Sequence, residues 1–160
     1  MITAHHATAP DRRVLLVTLA LAAVSVGGAV VSVTGGLAPT LLDAMGPDAR
    51  LSIPLPMMLA QVLVAAVASG RRRRPALVAG VLLAVVAPVC IVSGFFDGGY
   101  ADPALTGMQR AGQLMLVAML ALVGFVAARR AAYVRRGAIA SRLAIRAVPR
   151  HARRDTVEMP

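Results

Sequence analysis

Lysine is missing from the 160 residues, so all 17 basic residues are arginine, and only seven acids oppose them. With abundant Ala, Gly and Val, this all-arginine usage points to a GC-rich bacterial coding sequence. There is a single cysteine, Cys90. A lone thiol excludes an intrachain disulfide, a thiol redox pair and a Cys-rich zinc site, and leaves the redox compartment unread. The three histidines, His5, His6 and His151, all lie outside the long apolar stretches, which disfavours haem ligation within a membrane. His5 and His6 are neighbours on a polar N-terminal stretch and read as a solvated tail rather than a metal site. No phosphate-binding glycine loop, nucleophile elbow or HExxH pair is present. No catalytic site, metal site or cofactor is therefore expected.

The most informative absence is that of charge over long runs. Residues 14–38, 51–70, 75–96 and 111–128 carry no Asp, Glu, Arg, Lys or His. About 20 apolar residues are needed to cross the ~30 Å hydrocarbon core of a bilayer. The chain is 58% hydrophobic and 15% charged, far from a soluble domain. The expected fold is all-α: an integral membrane antiparallel four-helix bundle over 14–128. A 13-residue N-terminal tail precedes it and a basic tail, 129–160, follows. A signal peptide over the first stretch is the rival reading, but its apolar part is normally about 7–15 residues and this run is longer.

Arginine is concentrated at the ends of these runs. Arg71, Arg72, Arg73 and Arg74 separate the second and third, and nine arginines follow residue 128. Excess arginine and lysine near span ends marks the cytoplasmic side. Placing both termini and the 71–74 cluster on one side gathers 15 of the 17 arginines there and leaves Arg50 and Arg110 with four acids in loops 39–50 and 97–110. The expected location is a bacterial plasma membrane, with N- and C-termini in the cytoplasm. The expected partner is a bilayer with anionic headgroups, contacted by Arg71, Arg72, Arg73, Arg74, Arg129, Arg130, Arg135 and Arg136, since each juxtamembrane cation contributes about 1 kcal/mol on such a surface. Nucleic acid is the less economical partner, because no recognition helix or stacking aromatics accompany the arginines. In the tail, Arg135, Arg142, Arg146 and Arg150 fall on one helical arc, with Pro149 ending the helix. A helical extension lying on or near the membrane surface follows.

Within the spans a few residues stand out. Gln61 is the most polar side chain deep in any of them, and an amide in hydrocarbon seeks a partner helix or a ligand. Gly28, Ser32 and Gly36, and again Ala76, Gly80, Ala84 and Pro88, recur every fourth residue. Such small-residue ridges let helices approach closely, whether with another membrane protein or with a second copy. Pro54 and Pro56 place the start of regular helix near Leu55, and Pro88 predicts a kink. On the loop side Asp43, Asp48, Asp97, Tyr100, Asp102, Arg50 and Arg110 could converge. Of these, Asp97, Tyr100 and Asp102 are the candidates for facing a ligand, such as a divalent or organic cation. Their plainer role is turn and cap chemistry.

Known four-helix membrane families are set aside on particular residues. Small multidrug transporters depend on an acid in the first helix, and none is present in 14–38. Vitamin K epoxide reductase-like enzymes need a cysteine pair that Cys90 alone cannot supply. The functional expectation is a non-enzymatic structural or accessory membrane subunit. The alternatives are an uncoupled small-solute channel or carrier lined by Gln61 and Pro88, and a holin-like permeabilising protein.

Overall fold

The computed structural model describes residues 12–47, 51–96 and 105–147. Among them every regular element is helical: α1 Arg13–Thr34, α2 Leu41–Ala44, α3 Leu55–Ala68, α4 Arg73–Phe96 and α5 Gly107–Ala147. Three of these, α1, α4 and α5, are long and apolar enough to cross a membrane, which marks the chain as a membrane protein. At 1.5 Å per residue, the 22 residues of α1 and the 24 of α4 reach about 33 and 36 Å. The 14 residues of α3 reach only about 21 Å.

Helix α1 buries Val14, Thr18, Leu21, Ser25, Ala29 and Ser32. These alternate in steps of three and four, so one stripe faces the other helices. The exposed face is apolar, with Leu16, Leu19, Val26 and Val30 outward. The helix stops at Gly36, whose φ of 71° turns the chain left-handed. Leu37 N–H then returns to Ser32 O at 2.8 Å and Gly36 N–H to Val33 O at 3.1 Å, the Schellman arrangement that satisfies a helix's last carbonyls. This ends α1 four residues short of the uncharged run.

α4 and α5 pack antiparallel through small residues. A Cβ added at Gly124 would lie 2.9 Å from Ala87 Cβ, and one at Gly80 would lie 3.4 Å from Ala131 Cβ. Further along, one at Gly137 would lie 2.9 Å from Arg73 Nη2. The α4 face so used, Ala76, Ala79, Leu83 and Ala87, follows the 3.6-residue turn. It therefore drifts off the strict four-residue ridge, and Pro88 lies outside the buried set. Val14, Ala65, Ala68, Ala79, Leu83 and Ala127 join α1, α3, α4 and α5 in one apolar core.

Two elements add detail to the sequence expectation. α5 is one 41-residue helix, about 60 Å long. It runs unbroken through Arg129, Arg130, Arg135 and Arg136 because arginine and alanine are both good helix formers. The helical extension expected after residue 128 is thus continuous with the apolar part of α5, and its turns up to Gly137 pack beside the first turns of α4. α3 begins at Leu55, where the two prolines placed it: Pro54 is the N-cap and Pro56 occupies the first turn. Residues 51–54 before it are non-helical and lie against α1.

Candidate functional site

The sequence candidates fall in different places. Gln61 shares the buried α3 face with Ala65 and Ala68, and is 7% exposed. Asp97, Tyr100 and Asp102, with Asp48 and Arg50, lie outside the described residues. Asp43 completes a local cap: Thr40 Oγ1 accepts from Asp43 N–H at 3.2 Å and donates to Asp43 Oδ2 at 2.6 Å. Among the described residues no group of three His, Cys, Asp or Glu could hold a metal. Arg71, Arg72, Arg74, Arg129, Arg135 and Arg136 are exposed and Arg73 is half-buried. Arg129 lies over the Phe125 ring at 5.8 Å. Arg130, expected among the headgroup contacts, is only 4% exposed. It sits one turn beyond Ala127, toward the end where α1 begins and α3 finishes. Near that end Ser69 Oγ and Arg73 Nε are also buried, and neither has a hydrogen-bond partner among the described residues.

At the opposite end the structure builds a feature that the sequence reading passed over. After α1 the chain folds back instead of running across the top. Ser52 Oγ donates to Ala44 O, and Leu55 N–H donates to Met45 O at 2.9 Å. Ile53 N–H donates to Ser25 Oγ at 2.8 Å. Leu51 O rests on Gly28, where any Cβ would overlap it. Ser25 lies nine residues before the end of α1, about 13 Å down its axis. The 51–54 segment thus reaches well down α1. Non-helical backbone at such depth is tolerated only where its polar groups are satisfied within protein or by a water-filled cavity. Ser25 meets one of those needs. Its hydroxyl is the reason a serine is useful in the middle of an otherwise apolar helix.

α5 is fastened to the same end by Thr106 and Gln109. Thr106 N–H donates to Gln109 Oε1 at 2.8 Å, and Gln109 N–H to Thr106 Oγ1 at 3.4 Å. This is a capping box, and its Thr-x-x-Gln spacing was legible in the sequence. The Gln109 amide nitrogen lies where it would meet a Cβ on Gly35 at 2.9 Å, so the cap also abuts the end of α1. Gln109 and Gln113 are both buried, at 8% and 7% exposure.

Between α1, the start of α5 and Leu51 lies a cavity of about 480 Å³. Its α1 wall is Val24, Gly27, Gly28 and Val31. Its α5 wall includes Met108, Gly112, Met115 and Leu116, with Gln109 at the end nearest the cap. The cavity is partly open, and Gly27, Val31, Gly112 and Met115 along it are exposed. A second hollow of about 390 Å³, against Pro88, Val92 and Phe96 of α4, is apolar as well. Neither cavity brings together a nucleophile and a base, or paired carboxylates. What the first offers is apolar shape with one amide at its end. Compared with family models, curated proteins and solved structures, the chain matches none.

Proposed function

We propose that the protein is a non-enzymatic structural or accessory subunit of a bacterial plasma membrane, built as a four-helix membrane bundle with both termini in the cytoplasm. In this reading α3 and the folded-back 51–54 segment together make the second crossing. The arginines at the α3–α4 turn and along the far half of α5 set the orientation by the positive-inside rule. Their exposed members then contact anionic headgroups. The observation that carries the reading is the way buried polar side chains are used. Ser25 holds the 51–54 segment, Thr18 bonds back to Val14 O at 2.9 Å and Gln109 closes a cap. Both cavities are apolar, so what the bundle presents to the membrane is shape for packing rather than a polar path.

The test is purification of the tagged full chain from native membranes under mild detergent. An accessory subunit brings a membrane partner in fixed stoichiometry. Recovery of the chain alone, from several detergents and at native expression, contradicts the reading. The second reading, an uncoupled solute carrier, is favoured by one observation: non-helical backbone at depth beside Gln61's helix, which in membrane proteins often accompanies a transport site. Solute flux in proteoliposomes that is abolished by Gln61→Leu would replace the first reading with this one.

A further inference from the structure

We infer that the cavity between α1 and α5 is a lateral lipid site that holds a hydrocarbon chain of a lipid from the leaflet on the loop side. The inference rests on the membrane reading above and adds to it a ligand class. Three observations carry it. The first is size. The wall runs from Val24 to Val31 on α1 and from Met108 to Leu116 on α5, about 10–12 Å along the helix axes. A volume of about 480 Å³ over that length has room for one or two extended hydrocarbon chains. The volume also lies within the ~300–1,000 Å³ typical of small-ligand pockets.

The second observation concerns two wall glycines. Gly27 and Gly112 have nothing within 4 Å of where a Cβ would be, and neither has a positive φ. Nothing inside the fold requires a glycine at either position, although each weakens its helix by about 0.5–1 kcal/mol relative to alanine. Both line the same cavity, and both leave it wider. Gly28, beside Gly27, is different, because it is needed for the contact with Leu51 O.

The third is the chemistry of the wall. Valine, leucine and methionine make up most of it, and the long thioether side chains of Met108 and Met115 adapt to irregular apolar partners. The one strongly polar group, Gln109, is at the loop-side end. A chain entering with its headgroup on that side keeps its polar end beside the amide and its methylenes along Gly112 and Val24. Bulk lipid wets every outer face of the bundle. A site differs from wetting by holding its chain in preference to those faces.

The experiment uses the full chain in nanodiscs doped with a phospholipid bearing a photoreactive diazirine on its acyl chain, with adducts mapped by mass spectrometry. The expected result is saturable labelling of residues 24–31 and 108–116 at low probe fraction. It should be about tenfold enriched over the exposed α4 positions Val78 and Val85, equivalent to about 1.4 kcal/mol of preference. Gly27→Leu and Gly112→Leu, each filling the cavity from a different wall, should remove the enrichment while labelling at Val78 persists. Labelling proportional to exposure at all positions in the wild-type chain overturns the inference without reference to any variant. So does enrichment that survives both leucines in variants of wild-type helix content. A photoreactive residue placed at Met115 that crosslinks to a second copy or another protein, in place of lipid, overturns it in favour of a protein interface. A chain that does not insert into the bilayer overturns this inference and the membrane reading together. A chain that inserts but labels uniformly overturns only this one.

Discussion

Two adjacent glycines in α1 should respond oppositely to the same substitution. At Gly28 a methyl group would overlap Leu51 O, a backbone atom that cannot rotate away. At Gly27 it would meet nothing within 4 Å. Both alanines gain up to about 1 kcal/mol of helix propensity. Gly28→Ala must also push the 51–54 segment off α1, at a cost of about 1–3 kcal/mol for overpacking. Moving that segment stretches the 2.8 Å bond from Ile53 N–H to Ser25 Oγ, and an unpaired buried N–H costs a further ~1–3 kcal/mol. The net expectation is a loss of about 3 kcal/mol for Gly28→Ala, and no loss or a small gain for Gly27→Ala. Unfolding of the purified chain in mixed micelles, titrated with SDS and followed by far-UV circular dichroism, reads the difference. Ser25→Ala supplies the control on mechanism. Alone it should destabilise by about 0.6–2 kcal/mol, the range for hydrogen bonds between membrane segments. Combined with Gly28→Ala it should add little, because the bond is already broken and the sites are coupled. Equal midpoints for the two glycine variants, or full additivity with Ser25→Ala, would refute the folded-back placement of 51–54.

Further expectations concern the other interfaces. Gly124→Val should destabilise by about 1–3 kcal/mol in the same titration, since even a Cβ there sits 2.9 Å from Ala87 Cβ, whereas Gly107→Ala, with open space, should be neutral. Arg130→Ala should lower stability measurably, because Arg130 is 4% exposed and alanine leaves the space of its long side chain empty. Arg129→Ala should cost less than about 1 kcal/mol, losing an exposed contact with Phe125. Similar losses at both arginines would contradict the burial of Arg130.

Much of the helical layout was legible because lipid and a bundle interior both demand apolar side chains, so uncharged runs reveal themselves without any contact being known. The two prolines at 54 and 56 announced where α3 begins. Thr106 and Gln109 carried a cap signal that lay open in the sequence but was overshadowed by Asp102, itself a cap candidate. The individual roles were less legible. Gly27 and Gly28 are indistinguishable by residue type; one faces open space and the other a carbonyl only because residue 51 returns to α1. Arg129 and Arg130 are likewise adjacent, and the 100° step of a helix sends one over Phe125 and the other inward. The ridges read at every fourth residue drifted for a related reason, since a helical face repeats every 3.6.

By itself the sequence determined that the chain is helical and apolar, that its uncharged residues fall in four long stretches, and that basic charge clusters at one set of their ends. Those properties follow from composition and period, which are local. Only the tertiary structure decided that the stretch before α3 folds back along α1, that α5 continues past its arginines beside α4, and that a cavity opens between α1 and α5. Each depends on which surfaces meet: a serine hydroxyl reaching an amide 28 residues away, a glycine admitting a carbonyl, an alanine facing a glycine. Apolar periodicity reports that a face is buried or bathed in lipid. It does not report against what.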